Sequence, residues 1–201
     1  MKYIANFFSV LLHPLLMPFY GMVIILTYSY LSVFPLNFKI AIASVVLLFT
    51  GAIPAVSIGL LYRFGKITSL SLNVREERPL PYLITIISYL LCGLFFYKIQ
   101  LPLWILFYMG GALLSILIAA VINNWWKISA HMTGIGGVLA TAFALARIQH
   151  MLPVYLLILL VLLAGMLGTS RIALRRHTFM QVVAGTANGF ICVYFSMVWA
   201  I

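Results

Sequence analysis

Residues 102–122 read PLWILFYMGGALLSILIAAVI, twenty-one positions without one charge. A helix of that length runs about 30 Å at 1.5 Å per residue, which matches the hydrocarbon thickness of a bilayer. Such a run predicts a transmembrane helix. Working outward, apolar stretches of comparable length recur at about 17–34, 39–62, 80–97, 130–147, 152–168 and 178–201. The 201 residues are 65% hydrophobic with a mean hydropathy of +1.19, more than one soluble core can hide. The expected fold is therefore all-α: a polytopic bundle of about six to seven spans, forming one integral membrane domain over residues 1–201.

Proline punctuates two segments. His13-Pro14 and Pro18 predict a kinked interfacial lead-in over 4–16, with His13 read as a helix-end residue, and Pro54 predicts a kink inside the second span. The N-terminal apolar run carries only Lys2 and no convincing small-residue cleavage site, so a retained first helix is expected rather than a signal peptide. Cys92 and Cys192 fall in different spans, where a small apolar side chain is the ordinary use of cysteine.

The polar residues are distributed unevenly. Loops after the second, fourth and sixth spans lie on one side of the membrane, and nine of the twelve Lys and Arg fall there: Lys2, Arg63, Lys66, Arg75, Arg78, Lys127, Arg171, Arg175 and Arg176. Lys39, Lys98 and Arg147 fall on the other. Glu76 and Glu77 are the only acids, which disfavours a paired-carboxylate hydrolase and a Mg²⁺ or Ca²⁺ cage. The four His lack the close pairing of zinc motifs, so metal-independent chemistry without a cofactor is favoured.

What the rich face does hold is a set of phosphate-handling groups. Arg binds two phosphate oxygens at once through its planar fork, and Arg78 and Arg171 are the leading candidates, with Arg75 three residues before Arg78. His131 and His177 supply imidazoles that can serve as nucleophile or proton donor near neutrality. Arg63, Lys127, Arg175 and Arg176 read as interfacial anchors. Gly134, Gly136 and Gly137 read as a close helix contact.

These residues stand in a familiar order. Arg78-Pro79, then Ile128-Ser129-Ala130-His131, then Ser170-Arg171, His177 and Gln181 resemble the three motifs of the type 2 phosphatidic acid phosphatase (PAP2) superfamily over about 63–190. In that family the first motif carries a Lys seven residues before its Arg, the second reads Pro-Ser-Gly-His, and the third ends on an Asp. The resemblance implies that His177 attacks phosphorus to give a phosphohistidine and that His131 protonates the leaving oxygen. It also implies that Arg78, Ser129, Arg171 and Ser170 bind the phosphoryl oxygens. Ser71 replaces the family Lys, so Lys66 or Arg75 is expected to supply that charge. Gln181 replaces the Asp, and its amide oxygen is expected to orient His177 without adding negative charge.

The function expected is hydrolysis of a lipid phosphate or pyrophosphate at the membrane surface, with the bilayer and the lipid as partners and no nucleic acid. The alternative is a degenerate member that binds lipid phosphates or a partner without turnover. A transporter would be expected to show internal repeats, and none is apparent. The nine-to-three charge split by itself favours a cytoplasmic site face. The resemblance implies the opposite, in a bacterial inner membrane, and the extracytoplasmic face is the reading taken.

Overall fold

The computed structural model describes residues 2–70, 72, 74–150 and 152–199. It is an all-α polytopic bundle with no strand among the described residues, as expected. The helices are α1 (Lys2–Leu11), α2 (Met17–Tyr28), α3 (Leu36–Val46), α4 (Ile53–Arg63), α5 (Pro79–Lys98), α6 (Leu103–Asn123), α7 (Ala130–Gln149), α8 (Val154–Ala173) and α9 (Phe179–Trp199). They make seven segments long and apolar enough to cross a membrane, with α1 and α2 counted as one and α3 and α4 as another. The chain is an integral, multi-pass membrane protein.

The prolines act where the sequence puts them. The chain breaks at Leu12–His13, where His13 caps a 3₁₀ turn over Pro14–Leu16, and α1 packs against α8 while α2 packs against α7. Pro54 cannot donate to the carbonyl four residues back and its ring crowds it. The helix widens to a π turn over Leu47–Ala52 just before it, and the Phe49 carbonyl accepts from Ser88 Oγ on α5. The first span ends sooner than expected, at Tyr28, followed by a 3₁₀ turn over Tyr30–Val33. The sixth runs on to Ala173 rather than 168, so Ser170 and Arg171 belong to the last turn of α8 instead of a loop.

α7 forms the centre of the bundle, and glycine makes that possible. A Cβ on Gly189 of α9 would stand 1.9 Å from the Thr133 carbonyl oxygen of α7, and one on Gly136 of α7 would stand 2.3 Å from the Thr186 carbonyl oxygen of α9. Gly185, one turn before Gly189, lies against Ser129 and Met132 in the same way. The expected glycine contact on α7 is therefore real, and its partner is a Gly-x-x-x-Gly step on α9 that allows backbone-to-backbone packing. Because Gly185 touches the start of α7, this seam brings the first turns of α7 and α9 together at one membrane face.

Candidate functional site

The third motif is shaped by the end of α8. Arg175 adopts the left-handed conformation at φ 53°, a common way to terminate a helix. The turn folds back so that the Arg171 carbonyl accepts from the N–H groups of Arg176 (3.1 Å) and His177 (3.4 Å). The spacing between Arg171 and His177 is thus one helix-terminating turn, and it places both side chains on the same cavity wall.

His177 is buried, and its Nδ1 lies 3.1 Å from Gln181 Oε1. That oxygen also accepts from the Thr178 N–H at 3.1 Å, so Nδ1–H donates to it. The basic lone pair is thereby left on Nε2. Burial, with the Arg171 and Arg78 guanidiniums close by, pushes the His177 imidazole down from its usual 6.5 to about 4, so it is uncharged at neutral pH.

Arg78 stands at the N-cap of α5, with Pro79 in the first-turn position that tolerates a missing N–H. Its guanidinium ties loops together: Nε donates to the Leu72 carbonyl (3.0 Å) and Nη1 to the Ile128 carbonyl (3.1 Å). Nη2 makes no hydrogen bond to the described residues. Asn123 at the end of α6 holds the Arg75 carbonyl at 3.2 Å, which steadies the approach to α5.

The second motif opens α7. His131, in its first turn, has Nε2 3.1 Å from the Ser9 carbonyl oxygen of α1. A carbonyl only accepts, so Nε2–H donates and Nδ1 is the nitrogen free to exchange a proton. Ser9 Oγ in turn accepts from Arg171 Nη1 at 3.3 Å. The His13 ring meets the His131 ring edge to face at 5.5 Å between centroids, and His13 Nδ1 accepts from the Leu15 N–H.

These groups line the mouth of one cavity of about 460 Å³. It is lined by Arg78, Arg171 and the exposed Arg176 and by His13, His131 and His177, with no acidic residue in the lining among the described residues. Glu76 is paired with Arg75 at 3.1 Å, and Glu77 Oε1 accepts from the Thr68 N–H. The field is strong enough to reach Lys127, whose ammonium is held below the usual lysine range by burial and by Arg78, Arg176 and Arg171. Arg171 Nε and Tyr82 Oη are buried with no hydrogen-bond partner among the described residues. The first turns of α5, α7 and α9 and the last turns of α4, α6 and α8 stand on this face, so the helix dipoles offset one another and the positive field is that of the side chains. Uncompensated cations suit an anion with several acceptor oxygens.

The structure brings Arg78, His131, Arg171 and His177 together, with Gln181 behind His177, but it does not bring the other expected residues to the wall. Ser129 is fully buried: its carbonyl accepts from Thr133, and its Oγ, without a partner among the described residues, does not line the cavity. Ser170 turns its hydroxyl back to the Met166 carbonyl at 2.7 Å, as serines near helix ends commonly do. Arg75 is engaged by Glu76, and Lys66 is exposed. Ser71, where the family Lys would stand, lies outside the described residues.

His13 is the helix-end residue expected of it and also lines the cavity, as do Ser9 and Arg176, to which the sequence reading assigns no site role. The available signal was His13 itself, a polar residue at a break in an apolar run, which is a functional-site pointer by default in a membrane protein. In comparisons with known proteins, no family model, no curated protein and no solved structure matches the chain.

Proposed function

We propose that the protein is a metal-independent phosphatase of the PAP2 type, acting on a lipid phosphate or pyrophosphate at the membrane surface. The observation that carries this reading is the mouth of the cavity: an uncharged His177 with Nε2 free, beside Arg171 and Arg78 with no acid among them.

In this reading the guanidiniums hold the phosphoryl oxygens, where charge builds up as the bond breaks. His177 Nε2 attacks phosphorus in line with the ester oxygen. The N–P bond forms as the P–O bond breaks, and the leaving oxygen takes a proton from Nδ1 of His131, which gains that proton as the bound phosphate's negative charge offsets the guanidiniums around it. His131, now neutral, then accepts a proton from the water that attacks phosphohistidine, releasing phosphate and restoring both imidazoles. Gln181 keeps His177 in the productive tautomer, but unlike a carboxylate it does not offset the charge that His177 gains on attack, so turnover is slow. Ser129 and Ser170 are left out of the cradle, because neither lines the cavity, and Arg78 and Arg171 carry it.

We place the protein in a bacterial inner membrane with the site face outside the cytoplasm, on the strength of the resemblance. Arg78, Arg171 and Arg176 line the cavity and so serve the site rather than topology. Setting them aside leaves six cations against three, which still counts toward the cytoplasm. Reporter fusions after Arg147 and at the C-terminus decide it: both fall on the face opposite the site, and a cytoplasmic signal from each is the expected result.

The chemistry is tested by phosphate release from a panel of lipid phosphates and pyrophosphates in detergent micelles without added metal, comparing the unmodified chain with His177→Ala. Release by the former and not the latter is expected, with acid-labile phosphate trapped on the protein only when His177 is present. Lipid binding without release from either protein would replace this reading with a phosphate-binding protein that does not turn over.

A further inference from the structure

The cavity does not end at the charged mouth. Along α5 it is lined from Arg78 to Tyr89, and along α6 from Ala119 to Tyr108. Each stretch spans eleven residue steps, about 16 Å of helix, which is roughly half the hydrocarbon thickness of a bilayer. Tyr89 and Tyr108 form the floor. Below them the bundle is closed by Cys92, Phe96 and Ile105, all buried.

The side walls of this lower part present few free polar groups. Thr85 donates to the Pro81 carbonyl, Ser115 to Ala112, Thr133 to Ser129 and Tyr108 to Pro18. Those hydroxyls are spent on backbone, so apart from the Tyr89 hydroxyl at the floor what faces inward is methyl, methylene and ring. The sides are tight: a Cβ on Gly21 would strike Tyr108 Oη at 2.3 Å, and one on Gly134 would strike the Met17 side chain at 2.6 Å. A volume of about 460 Å³ is that of a site for one drug-sized molecule, mouth included.

We propose that the cavity is a slot for one hydrocarbon tail: the ligand is a single-tailed amphiphile with a phosphate head, its tail running down the bundle interior to the Tyr89–Tyr108 floor, which limits its length. The anionic head rests on the phosphate reading above, while the tail rests on the cavity itself. A tail in this slot leaves the bilayer for an equally apolar interior. Length is therefore sensed by whether the chain overruns the floor, not by hydrophobic gain.

The test uses non-hydrolysable monoalkyl phosphonates from butyl through octyl and dodecyl to hexadecyl, bound to the full chain in nanodiscs. Affinities are expressed per mole fraction of bilayer, so that partition into lipid cancels. Affinity is expected to hold up to a limiting tail length and then to fall about tenfold or more as the chain is forced against the floor. Ala112→Leu, which narrows the lower slot, is expected to move that limit to shorter tails, and Tyr89→Ala to longer ones, with butyl phosphonate unchanged in both. The two shifts are opposite in sign, so either variant alone carries the test if the other fails to fold. Absence of a limit, a limit that neither variant moves, or equal binding of a two-tailed phosphonate of the same tail length overturns the slot. Because binding is read without turnover, a protein that shows the limit but releases no phosphate keeps the slot and loses only the hydrolase reading.

Discussion

The stretch from the last turn of α8 into α9 and the stretch from α6 into the first turn of α7 carry similar residues, a serine followed by a histidine with basic groups nearby, yet they deliver them differently. The first places Arg171, Arg176 and His177 on the cavity wall, because a left-handed Arg175 folds the chain back over the helix end. The second places His131 there but hides Ser129, because α9 presses Gly185 against the start of α7. A motif thus states which residues are available, and the packing of its turn decides which of them can touch a ligand.

The sharpest way to break this contrast is to substitute within the second turn. His131→Ala is expected to slow phosphate release by about 10²–10⁴-fold, the usual contribution of a positioned acid, whereas Ser129→Ala is expected to stay within a few-fold of the unmodified chain. Equal losses from the two, measured as initial rates in micelles, would return Ser129 to the phosphate cradle. Next comes the seam that presses the turns together. Gly189→Ala forces a Cβ into the Thr133 carbonyl and is expected to cost about 1–3 kcal/mol of unfolding free energy. Gly93→Ala and Gly165→Ala, where nothing lies within 4 Å, are expected to leave stability unchanged or slightly raised. Similar melting of all three would mean that α7 and α9 do not approach as closely as described.

Three smaller effects sharpen the first turn. Gln181→Leu removes the acceptor of His177 Nδ1–H and is expected to lower the rate about tenfold or more, as loss of an orienting partner does; no change in rate would show that the tautomer is held some other way. In carbon-labelled histidine spectra, the resonance that disappears in His177→Ala is expected to titrate near 4 rather than near 6.5. The sign for stability follows. A histidine neutral in the fold and ordinary when unfolded has no effect above its unfolded value, and as pH falls from 6.5 toward 4 the unfolded chain takes the proton first, so stability drops across that window. A midpoint near 6.5 contradicts the burial. Arg175→Gly relieves a left-handed side chain and is expected to raise stability by up to about 1 kcal/mol. A loss instead would indicate that the Arg175 side chain holds the turn.

The membrane class, seven spans and their one-sided charge are legible in the chain because the bilayer imposes a length and a polarity rule on each segment separately. Arg78, His131, Arg171 and His177 are legible as candidates for the related reason that ionisable groups at span ends need a purpose. Ser9 is not, since it reaches the site from α1, more than a hundred residues from His131, and His13 is legible only as a polar residue at a helix break. The Gly-x-x-x-Gly step at Gly185 and Gly189 is legible as a pattern, but that it meets α7 is decided only by packing.

By itself, the amino-acid sequence determined that this protein crosses the membrane repeatedly and carries arginine and histidine on one face, because those properties are set by local composition along the chain. Only the tertiary structure decided that Arg176 and His13 face the cavity while Ser129, Ser170 and Lys66 do not, and that the cavity continues to a tyrosine floor. Side-chain direction and enclosed volume arise from how helices distant in sequence pack, and no single segment encodes them.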